Sequence, residues 1–224
     1  MLPCMTTSES GPAPTIDELH VGDDPERWRA LGFAVADGCI ELGSVRVRLH
    51  EGSRGMLGWS LRDVRTLQLD GLHTTSSSAP QREPAGAHPN GVGAIDHVVA
   101  FSPSLDRTVR SLQAAALVLR RIREEPTPAG APRQAFFRLG AEILEVVQEP
   151  DSAVAAAGGP DRPAKLWGLA LTAADLDRTV AQLAPHARAA HDAVQAGRRI
   201  ATLRRSAGLA VPVALMTPVP AREL

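Results

Sequence analysis

Apolar and polar positions follow one repeated order over the second half of the chain. The middle segment, about 91–150, opens with the apolar run IDHVVAFS and continues into SLDRTVRSLQAA. In the latter run Leu105, Val109 and Leu112 have the i, i+4, i+7 spacing that is typical of a helix with one apolar face. Three strand-like runs follow, at 117–124, 133–140 and 141–149. The middle segment therefore predicts the order β-α-β-β-β.

The C-terminal segment, about 164–218, has the same plan. It opens with LWGLALTA and continues into DLDRTVAQLAPH. The pentapeptide LDRTV is identical in both segments, at Leu105–Val109 and Leu176–Val180, an offset of 71 residues. Three strand-like runs again follow the helix, near 188–195, 198–205 and 209–217. We therefore expect two copies of one module, packed side by side.

The N-terminal segment, 15–73, has the pattern of a degenerate third copy. The runs LHV, PERWRALGF, CIELG and VRVRLHE keep the same order in shorter pieces, and GMLGWSLRDV adds one more strand. The Ser-, Pro- and Gly-rich stretch 74–90 predicts a linker or a long loop, and 151–163 is a further Gly/Pro-rich stretch. Residues 1–14 predict a disordered tail, and 219–224 a C-terminal tail.

Composition and charge exclude several classes of function. The chain has 224 residues, of which 44% are hydrophobic and 22% charged, so it can bury an ordinary core. A net charge of −1 gives no electrostatic basis for binding nucleic acid or an anionic membrane. Tyrosine is absent, which excludes catalytic-tyrosine mechanisms. No Gly-rich phosphate loop, CxxC pair, GxSxG or HExxH motif occurs.

The sequence also bears on cellular location. Cys4 and Cys39 are too few for a disulfide framework. The first fifteen residues lack the features of a signal peptide, and no apolar run is long enough for a membrane helix. We therefore expect a cytoplasmic protein.

The ordered motifs resemble the vicinal-oxygen-chelate superfamily, which includes glyoxalases, bleomycin-resistance proteins and extradiol dioxygenases. The residues that carry the resemblance are Ile95–Val99, the two LDRTV helices, and the run from Phe137 through Glu145. In detail the chain is most similar to a glyoxalase-like group of actinobacteria. The resemblance implies an α+β fold in which tandem βαβββ modules, 91–150 and 164–218, form an open eight-stranded cup. The N-terminal segment would be an additional, degenerate βαββ-type module.

The resemblance also implies a divalent metal ion (Fe, Mn, Ni or Zn), held by His or Glu on the first and last strands of a module. In the middle module these positions are His97 and Glu145, and Glu145 is also the candidate catalytic base. The corresponding positions of the C-terminal module are Gly168 and Val213, which offer no ligand. His88 is the best candidate for a third ligand, because it would complete a set of two histidines and one carboxylate.

Other readings of these residues stay open. The N-terminal copy has His20 at the first-strand position and Arg48 near the last-strand position. His186 and His191 are weaker ligand candidates. His97 and Glu145 can also hydrogen-bond within the cup, without a metal ion.

Three further residues are candidates for binding substrate. Phe101 shares the strand face of His97. Trp167 occupies the position of Asp96 in the other copy, where it either lines the mouth of the cup or fills the core. Arg198, in the run QAGRR, either points a guanidinium at an anionic substrate or lies in a solvated hairpin.

Two functions follow from the resemblance. The first is a metal-dependent lyase, isomerase or dioxygenase that acts on a small organic molecule. The second is a metal-free protein that binds and sequesters a small hydrophobic or aromatic compound, as the bleomycin-resistance proteins do. The expected partner is a small-molecule ligand, with no nucleic acid and no membrane. The N-terminal module could also cap the cup or mediate a homodimer.

Overall fold

The computed structural model describes residues 11–127 and 130–219, and these residues form two β-sheets. The N-terminal sheet has the strands β1 (Thr15–Gly22), β2 (Cys39–Leu42), β3 (Val45–Leu49), β4 (Gly55–Arg62) and β5 (Thr74–Ser76), with helix α1 (Pro25–Ala30) between β1 and β2. Its strand order is β2-β3-β1-β4-β5. Part of the stretch predicted as a linker instead forms strand β5, whose backbone pairs with β4.

The C-terminal sheet contains the two predicted modules. The first module consists of β6 (Val92–Ser102), α2 (Leu105–Ala114), β7 (Val118–Arg123), β8 (Gln134–Leu139) and β9 (Glu142–Gln148). A short helix, α3 (Asp151–Ala156), leads to the second module, which consists of β10 (Lys165–Ala173), α4 (Leu176–Gln182), β11 (His191–Asp192), β12 (Arg199–Thr202) and β13 (Val213–Met216). The strand order is β11-β12-β13-β10-β6-β9-β8-β7. The predicted tandem βαβββ arrangement and open eight-stranded sheet are confirmed.

The centres of the two sheets have the same topology. In the C-terminal sheet, β6 runs antiparallel to β10, and each of these strands is parallel to the last strand of its own module, β9 or β13. In the N-terminal sheet, β1 runs antiparallel to β4, while β1 is parallel to β3 and β4 is parallel to β5. The N-terminal sheet is therefore the same arrangement with three of the outer strands missing, since β2 corresponds to β8.

The two central strand pairs share two irregularities, and the β6–β10 pair has a third at Gly93. In the β6–β10 pair, Asp96 and Trp167 have no partner on the opposite strand, and three residue pairs lie between them. In the β1–β4 pair, Asp17 and Leu57 are unpaired in the same way, again with three pairs between them. An unpaired residue of this kind is a β-bulge, which bends the strand and redirects a side chain. Asp96 and Trp167 are also equivalent positions in the two modules, 71 residues apart.

One apolar face of each sheet contributes to a single continuous core. Trp28, Trp59, Phe137 and Leu112 are among its fully buried side chains. Val99, Ala131 and Val147 form a separate small cluster, which lies on the opposite face of the C-terminal sheet. That second face is the concave face of the predicted cup. In the described ranges, no helix is long and apolar enough to cross a membrane.

Asn90 joins the two sheets just before β6. Its side-chain amide donates to the carbonyl of Leu31, at the end of α1, across 2.9 Å. Its side-chain oxygen accepts the backbone N–H of Val92 across 3.0 Å, and its own N–H donates to the Gly32 carbonyl. Because Asn90 is only 3% exposed, water cannot easily replace these bonds.

Replacing Asn90 by alanine is expected to lower the free energy of unfolding by about 1–3 kcal/mol, because two buried backbone groups lose their partners. Urea unfolding followed by circular dichroism measures this loss. Gln113→Ala, on an exposed position of α2, is the control and is expected to change stability by less than about 0.5 kcal/mol. Equal stability of the two variants would contradict the bridging role of Asn90.

Candidate ligand-binding site

His97 and Glu145 meet on the concave face of the C-terminal sheet. His97 is opposite Ile143 and Val99 is opposite Glu145 in the parallel pairing of β6 with β9. The two polar residues are therefore diagonal neighbours on one face, within reach of each other. Nε2 of His97 lies 3.2 Å from Oε2 of Glu145.

Asp96 also reaches this face, because it is the bulged residue of β6. In a regular strand, successive side chains point to opposite faces, so Asp96 would point away from His97. Its unpaired position instead brings Oδ1 to 2.8 Å from Nδ1 of His97. Alternation in the sequence could not show this contact. The one available signal was the Ile-Asp pair that occurs in both β1 and β6, at Ile16-Asp17 and Ile95-Asp96.

Arg198 and Gln134 extend the polar cluster at its two ends. Arg198 is 3% exposed, and its guanidinium donates to the carboxylate of Asp96 and to the carbonyl of Thr217. At the other end, the side-chain amide of Gln134 donates to Glu145. In the polar chain Arg198–Asp96–His97–Glu145–Gln134, the first four groups thus alternate positive and negative charge and the neutral amide of Gln134 ends it, which offsets the cost of burying charge.

The charges around His97 determine its protonation state. Burial by itself lowers the pKa of His97, but hydrogen bonds to Asp96 and Glu145 and the charges of these carboxylates outweigh burial and raise the pKa to about 9. For Asp96, burial raises the pKa, and the contacts with His97 and Arg198 reverse this and lower it. His97 is therefore an imidazolium at neutral pH, with one N–H directed at each carboxylate.

An aromatic pair lies beside the polar chain. The rings of Phe101 and Trp167 have centroids 4.8 Å apart. Trp167 is 41% exposed, so this bulged residue lines the mouth of the cup and does not fill the core. Phe101 also packs on the cluster of Val99, Val147 and Ala131, the last of which comes from the β7–β8 connection. The concave face therefore joins an apolar patch to a charged centre, a combination found in small-molecule sites.

The structure does not bring His88 to this cluster. Nδ1 of His88 accepts the backbone N–H of Ala34 across 3.1 Å, and Nε2 donates to the carbonyl of Glu41 across 3.0 Å. Burial lowers the pKa of His88, more than its backbone contact raises it, which favours the neutral ring. Both ring nitrogens form hydrogen bonds to the N-terminal module. The prediction that His88 completes a ligand set with His97 and Glu145 was therefore wrong.

The remaining histidine candidates are also separate from His97. His186 contacts the hydroxyl of Ser206 through Nδ1, across 3.4 Å. His191 is exposed, and its Nδ1 lies 3.0 Å from the carbonyl oxygen of Asp192.

Strand register changes two of the equivalences that the sequence suggested. Glu145 is opposite Val99, whose equivalent in the second module is Ala170, and Ala170 is opposite Ala214. The second-module position of Glu145 is therefore Ala214, one residue beyond the predicted Val213. It offers no ligand either.

The second change concerns the N-terminal sheet. The bulge at Asp17 matches the bulge at Asp96, so the residue that follows each bulge is equivalent, and Glu18 matches His97. His20 matches Val99 and was wrongly placed. Instead of lying at a ligand position, His20 contacts His50 across 3.1 Å.

Comparisons with known proteins add evidence on the fold. No protein-family model and no curated protein matches the chain. Among solved structures, a xylose isomerase-like TIM barrel/4-hydroxyphenylpyruvate dioxygenase fusion protein aligns with 95% of this chain at 13% identity and a TM-score of 0.60. The alignment spans 50% of the fusion protein. At this identity the likeness bears on the fold alone, and it agrees with the paired modules described above. The chain shares with that structure a fold of paired βαβββ modules around an open eight-stranded sheet.

Two methylmalonyl-CoA epimerases are also similar, over a shorter part of the chain. The enzyme from Mycobacterium tuberculosis covers 61% of this chain and 93% of its own, at 21% identity and a TM-score of 0.47. The enzyme from Streptomyces coelicolor, in complex with 2-nitronate-propionyl-CoA, covers 59% of this chain and 99% of its own, at 19% identity and a TM-score of 0.47.

The sequence resemblance predicts a divalent metal ion, and the residues of the cup do not fit one. His97 and Glu145 are bonded to each other, and Gly168 and Ala214 have no ligand atoms at the matching positions. Catalytic zinc sites use three protein ligands and an open position. In residues 11–127 and 130–219, no three His, Cys, Asp or Glu side chains are grouped so as to hold a metal ion.

The raised pKa of His97 predicts a particular pH dependence of stability. The folded-state pKa is about 9 and the ordinary value is 6.5, so protonated His97 stabilises the fold fully below pH 6.5. This contribution is lost as the pH rises toward about 9. The difference in unfolding free energy between wild type and His97→Gln, measured by urea unfolding, is expected to shrink over this range. His191→Gln is the exposed control, and a difference that stays constant from pH 6.5 to 9 would contradict the assignment.

Proposed function

We propose that the chain binds a small organic molecule on the concave face of the C-terminal cup, without a resident metal ion. The observation that carries this proposal is the position of His97, bonded on one side to Asp96 and on the other to Glu145. An imidazolium has no nitrogen lone pair to offer a metal ion, and binding one through Nε2 would require loss of that proton and of its contact with Glu145. The same polar chain leaves the face next to Phe101 and Trp167 available to a ligand.

The class of ligand follows from the side chains on that face. The exposed ring of Trp167 offers a surface on which a flat apolar compound can stack. The adjacent polar chain favours a compound with a polar group at one end. Further along the wall, the guanidinium of Arg121 lies 4.6 Å from the ring centre of Phe136, which is opposite Glu145 in the β8–β9 pairing. The proposed ligand is therefore a planar, mostly hydrophobic molecule with a polar end.

An enzymatic role is the second candidate, and the position of Glu145 favours it. His97 and Gln134 hold its carboxylate in one orientation on the face that would contact the ligand, as acid–base groups are held in enzymes. In that role Glu145 would accept a proton from the bound molecule. Arg198 would act indirectly by fixing Asp96, since its donors are used within the protein.

Neutral aromatic probes, such as indole and 2-naphthol, test the binding proposal in a thermal-shift assay. Stabilisation of about 1.4 kcal/mol is expected at roughly ten times Kd, and EDTA is expected to leave it unchanged. Trp167→Ala is expected to abolish the stabilisation, because it removes the stacking surface. Leu67→Ala, which changes an apolar residue that is similarly exposed (44%) outside the cup, is expected to retain it. Stabilisation that EDTA removes, or that survives Trp167→Ala, would count against the proposal.

Equilibrium dialysis separates the metal-free proposal from a metal-dependent enzyme. Wild type and a His97→Ala/Glu145→Ala double variant are expected to bind equal amounts of Fe²⁺, Mn²⁺, Ni²⁺ and Zn²⁺, because these two residues do not form a ligand set. The His186→Ala/His191→Ala variant controls for binding by histidines outside the cup. One equivalent of metal in the wild type that is lost only in the first variant would favour the metal-dependent lyase, isomerase or dioxygenase.

A further inference from the structure

The LDRTV helix of the first module binds a carboxylate from elsewhere in the chain. Nε of Arg107 donates to the carboxylate of Asp70 across 2.7 Å, and the hydroxyl of Thr108 donates to the second oxygen of Asp70. The remaining guanidinium nitrogens of Arg107 donate to the carbonyls of Pro160 and Arg162, in the segment before β10. Arg and Thr of the pentapeptide thus form a carboxylate site that Asp70 fills.

The second module repeats this pentapeptide, with Arg178 and Thr179 at the positions of Arg107 and Thr108. The segment beside the second helix has a matching proline, since Pro89, before β6, lies 71 residues ahead of Pro160, and both this segment and the helix line one cavity. Asp70, however, belongs to the N-terminal segment and binds the first helix. The second helix is therefore next to the same kind of segment but lacks the carboxylate.

A cavity of about 250 Å³ lies beside the second helix. Its lining includes Pro89, Gly91, Arg178, Thr179 and Gln182. Thr179 is 1% exposed and lines the cavity, and its hydroxyl oxygen lies only 2.7 Å from the point that a Cβ on Gly91 would occupy, so a side chain at position 91 would crowd the hydroxyl. Within the described parts of the chain, neither the Arg178 guanidinium nor the Thr179 hydroxyl has a hydrogen-bond partner.

We propose that this cavity binds a small carboxylate-bearing molecule, with Arg178 and Thr179 holding the carboxylate as Arg107 and Thr108 hold Asp70. Guanidinium and hydroxyl donors to one carboxylate form charge-assisted hydrogen bonds. The volume is below the range of drug-sized pockets, so the ligand has few non-hydrogen atoms. The cavity lies beside α4, whereas the aromatic pair lies on the concave sheet face, so the two sites are independent.

The other groups around the cavity affect how tightly a carboxylate binds. The ring of His88 is neutral and its nitrogens are used within the protein. Asp175 has the same charge as the carboxylate of the proposed ligand and would repel it. Its own carboxylate accepts the backbone N–H of Arg178 across 3.0 Å. We therefore expect millimolar affinity in the wild type and tighter binding when Asp175 is replaced by asparagine, which can still cap the helix.

Titration of the full chain with acetate and propionate, at constant ionic strength, tests the proposal. The readout is the backbone amide of Gly91 in ¹H–¹⁵N spectra, and acetamide is the neutral probe of the same shape. Both carboxylates are expected to shift the Gly91 signal in a saturable way, and acetamide is not. Arg178→Gln and Thr179→Val are each expected to weaken acetate binding about ten-fold or more, while Asp175→Asn tightens it.

Arg188→Gln is the matched control, since Arg188 is an exposed arginine outside the cavity. It is expected to bind acetate as the wild type does. Spectra that are unchanged away from the cavity show that each variant is folded. An equal response to acetamide, a response that does not saturate in the millimolar range, or unweakened binding in Arg178→Gln would overturn the proposal.

Discussion

The antiparallel pairing of β6 with β10 lies at the centre of the C-terminal sheet, and its bulges at Asp96 and Trp167 decide which side chains face the cup. The bulge at Asp96 gives His97 a second carboxylate neighbour, and so makes the ring a cation and not a free ligand. The bulge at Trp167 directs an indole ring onto Phe101 at the mouth of the same face. Charge and aromatic surface thus come from equivalent positions of the two modules, which have diverged in chemistry while keeping their backbone.

The N-terminal sheet shows how much the shared scaffold can vary. Its bulged Asp17 contacts Arg62 and Arg82, as Asp96 contacts Arg198. At the positions of His97 and Glu145 it has Glu18 and Arg48, which form an ion pair with N–O separation of 3.2 Å. The positive and negative partners have therefore exchanged strands. In both sheets, the polar pair lies between a central strand and its parallel neighbour, next to a bulged aspartate, so equivalent backbone positions carry charge and the sequence specifies its sign.

Several features were predictable because they depend on local periodicity. The LDRTV repeat predicts two modules, and strand alternation places His97 and Glu145 on one face, as the strand register confirms. The contact with Asp96 was not predictable, because a bulge interrupts the alternation on which such reasoning depends. The second-module equivalent of Glu145 was predicted to be Val213 and is Ala214, because a short strand gives too few residues to fix its register from the sequence. The partners of His88 come from residues 34 and 41, which are distant in sequence, so no local pattern could show that its ring was already bonded.

The bulges also have a consequence for how the strands find each other during folding. A slip of one residue between β6 and β10 would turn the apolar residues of β6 away from the core and direct His97 into it. Asp96 would then lose its contact with Arg198, so that each of these two buried charges loses its oppositely charged neighbour across the strands. Misaligned pairings are thus destabilised by the same groups that form the ligand face. The polar chain therefore favours the native strand register, independently of the ligand that the cup binds.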